Sequence, residues 1–228
     1  MSADESVVVL DCRADPEPEL PGPDDRADRR GAREFVGPRP GKAIDALLST
    51  ADRAVVVGTD ADLAAVALRL LRRDRLAAVT LGLVPIGPSE VARLWVLPAD
   101  PIARLDVAFD APAQPSTLVR DDVGGVLLGL GEISPVDATV YVDAALVLRG
   151  RAAAVRVVPV PEHGVAVSVI HRRLLGLGHR TTTTVGRAVQ FGLRPGAGIV
   201  RDGEAYPRAI DRWTFYRHTE PVRVARPS

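Results

Sequence analysis

Short apolar runs alternate with amphipathic stretches through the first half of the chain. Ser6–Leu10 (SVVVL), Ala54–Val57 and Val79–Ile86 (VTLGLVPI) are rich in β-branched and aliphatic residues and predict buried strands. Between them, Pro40–Thr50 has a helical period through Ile44, Leu47 and Leu48. Asp60–Arg73 places Leu63, Val66, Ala67 and Leu70 on one helical face and gathers Arg69, Arg72 and Arg73 at its C-terminal end, where cations suit the helix dipole. Pro88–Leu97 predicts a short helix. Asp100-Pro101, an N-cap followed by proline at the first helical position, opens another that runs to about Phe109. Strands that alternate with helices predict a mostly parallel sheet covered by helices.

The pattern then changes to strands joined by turns. Thr117–Arg120, Val126–Leu130, Ala138–Leu148, Ala154–Val160, Val165–His171, Arg187–Leu193, Gly198–Arg201, Thr214–Arg217 and Pro221–Ala225 predict strands, and Asp202-Gly203 marks a hairpin. The expectation is an α/β domain over residues 1–115 and a mostly antiparallel β domain over 116–228, with the boundary near Pro112–Thr117. Asp15–Arg33 is rich in proline, aspartate and arginine, lacks an apolar period and reads as a long exposed, flexible loop.

Composition narrows the class. Hydrophobic residues make up 46% of 228, enough for a proper core and too many for disorder throughout. The longest apolar run, Ala77–Ile86, is interrupted by glycine and proline and falls short of a membrane span. The acidic N-terminus lacks a signal segment, and the single cysteine, Cys12, rules out an internal disulfide; both favour a cytoplasmic location. Net charge is zero but uneven. Residues 151–228 hold 13 arginines against five acids, a surplus of eight that the first 150 residues balance. This fits two complementary halves, or a basic half that meets an anionic ligand or membrane.

The candidate chemistry centres on Val55-Val56-Val57-Gly58-Thr59-Asp60-Ala61-Asp62-Leu63. A strand that enters a tight turn and a helix start aims backbone N–H groups and the positive helix end at one spot, a seat for phosphate. Such a turn favours several glycines, and only Gly58 is present. Asp60 reads either as a carboxylate for a metal-bridged phosphate or as a helix N-cap. Gly37–Lys42 (GPRPGK) falls one residue short of a phosphate loop and has Ala43 where a hydroxyl is required. His163, His171, His179 and His218 lack metal-ligand spacing. Thr181–Thr184 reads as strand or linker. Trp213, Phe215 and Tyr216, set among Arg212, Arg217 and Arg223, fit an ordinary sheet better than a surface for lipid headgroups or nucleic acid.

With these motifs in order, the chain resembles the diacylglycerol kinase-like lipid kinases, which include sphingosine kinases and, more distantly, NAD kinases. Val55–Leu63 is similar to their strand followed by Gly-Gly-Asp-Gly-Thr, with Gly58 and Asp60 kept and Thr59, Ala61 and Asp62 at the other positions. Leu81–Arg93 is similar to a second motif and keeps Leu81, Gly82, Pro85, Gly87, Ala92 and Arg93, with Pro88 for threonine and Glu90 for an Asn-Asp pair. Asp202-Gly203-Glu204 resembles the Asp-Gly-Glu of the family, whose acids serve proton abstraction and metal-linked catalysis. An early Asn-Pro-x-x-Gly motif is replaced by Leu10-Asp11-Cys12-Arg13. The resemblance implies a three-layer α/β domain, a β-sandwich and a last strand that returns to the first domain. It also implies a nucleotide site at Gly58, Thr59, Asp60 and Gly87, catalytic acids Asp202 and Glu204, and ATP with Mg2+ as cofactors in an active member. Asp202 and Glu204 otherwise read as a hairpin turn.

The substitutions favour a degenerate member with an impaired ATP site, acting as a binding or regulatory module. The side chains of Thr59 and Ala61 crowd the phosphate position, Asp62 adds a second carboxylate beside Asp60, and Pro88 removes a donor. The rivals are an active ATP-dependent lipid kinase with an altered phosphate loop and a protein-interaction scaffold, dimeric through an exposed sheet edge. Expected partners are a lipid or anionic membrane surface, with peripheral membrane association, and a second copy of the chain; no nucleic acid is expected.

Overall fold

The computed structural model describes residues 5–15, 32–172 and 178–227. Most of the exposed loop expected at Asp15–Arg33 lies outside them. Contacts divide the chain into two units, Met1–Ser116 with Glu220–Ser228, and Thr117–Thr219.

The first unit is built on one sheet of order β2-β1-β3-β4-β18-β5. β1 (Val7–Asp11), β2 (Ala32–Phe35), β3 (Arg53–Gly58), β4 (Thr80–Pro85) and β18 (Val222–Ala225) run parallel, and β5 (Ala113–Ser116) is antiparallel at the edge. All six residues of β3 are buried, as a central parallel strand requires. Pro40–Thr50 forms a short 3-10 turn, Lys42–Ile44, and then α1 (Asp45–Thr50). α2 (Asp60–Arg72), α3 (Glu90–Leu94) and α4 (Pro101–Asp110) complete the helices, with Asp100 capping α4 through the Ala103 amide at 2.7 Å. Leu63, Val66, Ala67 and Leu70 are all buried, as the helical period predicts. α3 is shorter than the stretch Pro88–Leu97 predicts. Val96 adopts a left-handed backbone with φ 56° and helps end it.

The second unit holds two antiparallel sheets whose inner residues share one core, including Val140, Val157, Val167, Phe191, Trp213 and Phe215. One sheet has the order β10-β9-β14-β17-β6-β7 and the other β13-β12-β11-β8-β15-β16. The strands of the first are β6 (Val119–Asp121), β7 (Val126–Leu127), β9 (Val136–Val142), β10 (Ala145–Ala152), β14 (Ala188–Ala197) and β17 (Ile210–Arg217). Those of the second are β8 (Gly131–Ile133), β11 (Ala154–Val160), β12 (Gly164–Arg172), β13 (His179–Gly186), β15 (Ile199–Arg201) and β16 (Glu204–Ala205). Ala138–Leu148, expected as one strand, is a hairpin. Asp143 turns it with φ 50°, and its carboxylate accepts the Arg187 and Ala188 amides at 3.1 and 3.0 Å. The threonine run Thr181–Thr184 lies inside β13.

Candidate functional site

The chain leaves β1 to one side for β2 and takes up β3 on the other, so the sheet order reverses between β1 and β3. In open α/β sheets ligands settle beyond the carboxyl ends of strands at such a reversal. Cys12 follows β1 there, Gly58 ends β3, and the Cys12 amide holds the two together by donating to the Val57 carbonyl at 2.9 Å. The amides of Val36 and Gly37 donate to the Asp11 carbonyl at 2.9 and 3.2 Å and bring the loop after β2 to the same place.

The turn after β3 is closed by its own side chains. Thr59 has φ −90° and ψ 172°, an extended backbone that any residue adopts, so the expected conformational penalty for a non-glycine residue is absent. Thr59, not Asp60, is the N-cap of α2. Its hydroxyl accepts the Asp62 amide at 3.3 Å, while Asp62 Oδ2 accepts both the Thr59 amide and hydroxyl at 2.7 Å, a capping box. Asp62 Oδ1 accepts the Arg39 amide at 2.7 Å from the loop after β2. Asp62 is only 3% exposed. Its carboxylate therefore takes up amides from two of the segments that frame the crevice. The sequence places Asp62 as a second carboxylate beside Asp60 that repels a polyphosphate, and the structure turns the two carboxylates to different partners.

Asp60 serves the next turn. Ser89 donates its hydroxyl to Asp60 Oδ1, and the amides of Glu90 and Val91 donate to Oδ2 at 2.8 and 3.2 Å. Asp60 thus serves the start of α3, whose N-cap is Ser89, by accepting its first two amides, and is not the N-cap of its own helix. Burial pushes its carboxyl above the ordinary range, against the opposing pull of Ser89 and the two amides. Gly87, in the same turn, faces open space where a Cβ would stand. A Cβ on Gly58 would meet Asp62 Oδ2 at 2.7 Å and Cys12 Cβ at 3.0 Å, so this glycine is fixed by packing inside the closed turn. Burial, with Asp62 and Asp11 adding to it, pushes the Cys12 thiol up, which suits a structural residue and not a nucleophile. Asp11, 1% exposed, is paired with Arg13 and Arg33 at 2.8 Å each.

Asp202 and Glu204 lie in the second unit. Asp202 sits in the β15–β16 turn with φ 48° and is 4% exposed. Its Oδ1 accepts the Gly129 and Leu130 amides at 2.7 and 3.0 Å, and its Oδ2 the Leu128 amide at 3.0 Å. Glu204 is half-buried and pairs through its backbone with Arg201. The Arg201 guanidinium bonds to buried Asp121 and lies 5.6 and 5.5 Å from the Tyr206 and Trp213 rings. Trp213 and Phe215 are core residues at 0 and 1% exposure, not a surface for headgroups. Among the described residues no group of three or more histidine, cysteine or acidic side chains is placed to hold a metal. Nor is any described helix long and apolar enough to cross a membrane.

No protein-family model and no curated protein matches the chain. Solved structures do. A diacylglycerol kinase from Bacillus anthracis strain Sterne superposes with a TM-score of 0.71 at 11% identity, over 98% of this chain and 97% of that one. The fold is that of the diacylglycerol kinases. An NAD kinase from Archaeoglobus fulgidus, solved in complex with ATP, is similar at a TM-score of 0.59 and 14% identity, over 96 and 93% of the two chains. The diacylglycerol kinase-like fold is therefore kept over nearly the whole chain, with little of the sequence. Three features went unread in the sequence: the role of Asp62, the Arg39 amide and the ion-paired Asp11. Thr59-x-x-Asp62 was a visible signal for the first, as capping-box spacing.

Proposed function

We propose that this chain keeps the kinase fold while its phosphate seat is filled by its own carboxylate, and that it acts as a binding or regulatory module. The Asp62 carboxylate supports this reading: it holds the Thr59 and Arg39 amides that an incoming phosphate would require. A phosphate that entered would have to displace a buried anion with three hydrogen bonds or lie beside it, and like charges at that distance repel strongly in a low-dielectric pocket. Asp60 is likewise engaged by the Ser89 turn. The residues present do not fit a triphosphate with Mg2+, the group that the fold implies.

Thermal unfolding with and without saturating Mg-ATP tests the reading. A ligand at a hundredfold excess over its Kd stabilises by about 2.7 kcal/mol. The expected result is an unchanged midpoint for the wild type and a raised one for the triple variant Thr59→Gly/Ala61→Gly/Asp62→Thr, which restores the glycine-rich motif and removes the internal anion. A raised wild-type midpoint that Asp60→Ala abolishes would overturn the proposal in favour of a working lipid kinase with Asp60, Asp202 and Glu204 as its acids.

A further inference from the structure

An edge strand can seed pairing with another chain, and proteins guard such edges by keeping them short, charged, bulged or interrupted by proline. Among the described residues the three sheets end in β2, β5, β7, β10, β13 and β16. β7 and β16 have two residues each. β2 has four and carries Arg33 and Glu34; β5 has four and contains Pro115. β10 has eight residues, but it holds Arg149 and Arg151 and a register shift between Leu146 and Leu148.

β13 lacks these guards over most of its length. It too has eight residues, and it pairs with β12 in unbroken register from His179 to Gly186. Its cations, His179 and Arg180, stand at one end, and the rest reads Thr-Thr-Thr-Thr-Val-Gly, without charge or proline. Thr181, Thr182, Thr183 and Val185 are exposed, although successive side chains point to opposite faces of the sheet. The β-branched run favours an extended backbone, and half of its N–H and C=O groups face away from β12, where the described sheet has no further strand.

We propose that β13 pairs antiparallel with β13 of a second copy of the chain, about a two-fold axis at Thr182, so that the two sheets join edge to edge. Symmetry and charge select this partner. In an isologous antiparallel pair the residue at the axis faces its own copy, so Thr182 meets Thr182, Thr181 meets Thr183, Arg180 meets Thr184 and His179 meets Val185. Every cation then lies opposite a neutral residue, and the two copies of Arg180 stand about 14 Å apart along the strands. A parallel pairing in register would instead set Arg180 beside Arg180, and like charges so placed destabilise a sheet. Threonine hydroxyls bond across strands, and this sheet holds one such contact, between Ser168 of β12 and Thr183 at 2.8 Å. The interface is independent of whether the crevice of the first unit binds nucleotide.

Light scattering on the full chain during size exclusion tests the proposal. The expected mass is twice the 24.2 kDa of one chain. Thr182→Lys, which sets an ammonium group against its own copy, should weaken dimerisation about tenfold or more. Thr182→Val, which keeps the β-branched shape, should keep the dimer; circular dichroism checks that both variants fold. Oxidation reads the register. Opposed Cα atoms of an antiparallel pair lie about 4.5–5.5 Å apart, within the span of a disulfide. Thr182→Cys should therefore cross-link two chains, whereas Thr184→Cys, about 14 Å from its own copy, should not. The wild type, whose Cys12 is buried, should not cross-link either. A monomeric wild type, a dimer unaffected by Thr182→Lys, or cross-linking by Thr184→Cys in place of Thr182→Cys would each overturn the proposal.

Discussion

Buried carboxylates carry the local architecture. Asp202 anchors the backbone of Leu128–Leu130 to the β15–β16 turn through three amides. Asp202→Ala should strip all three of their acceptor and cost about 3 kcal/mol or more, read by chemical denaturation. A residue kept only as a catalytic base would instead be lost with little change in stability. Asp11 makes a pH prediction. Burial alone would raise its carboxyl, but hydrogen bonds from Arg13 and Arg33 and the charge of Arg13 hold it below the ordinary 3.8. A depressed folded value means that the stabilisation is complete above the unfolded value and disappears as pH falls through the folded one. Arg33→Gln should therefore move the acid-unfolding midpoint, followed by circular dichroism, to higher pH. At this scale the sequence showed which residues were polar in apolar surroundings but not whom they met. The Arg39 amide reaches Asp62 across 23 residues only because Arg39 takes a left-handed turn with φ 50°, which its side chain does not announce.

Elements were more legible than contacts. The long helix α2 and strands β3 and β4 follow from periodicity and apolar runs, because each is wholly or half buried and its pattern reports that burial. The β9–β10 hairpin was not legible: its turn at Asp143 has no glycine, and apolar residues continue on both sides. Gly82, which the family resemblance singles out, has a packing reason here. A Cβ would stand 2.5 Å from the Ala108 carbonyl oxygen of α4. Gly82→Ala should push α4 off the sheet and cost about 1–3 kcal/mol in thermal or denaturant unfolding. Because that contact shares no partner with Asp62, its cost should add to that of Asp62→Ala within about half a kcal/mol.

For the whole molecule, the switch from helix-separated strands to consecutive strands correctly announced an α/β sheet followed by antiparallel ones. Nothing in Pro221–Ala225 names its neighbours, since a short apolar strand fits many sheets. The structure inserts it between β4 and β5, parallel to one and antiparallel to the other. Val222 and Val224 are fully buried there. Deleting residues 220–228 should leave β5 without a partner and β4 paired on one side only, and remove the cooperative unfolding of the first unit, while the core formed within 117–219 still melts as a unit; differential scanning calorimetry distinguishes the two transitions.

That late strand also sets an order of events during synthesis. When the ribosome has delivered every residue of the second unit, the first still has a gap between β4 and its edge strand β5, so the portion made earlier is the portion completed last. Until residues 220–228 emerge, two strand edges stay open to intruders, and any factor that shields nascent chains has a longer task at the first unit than at the second.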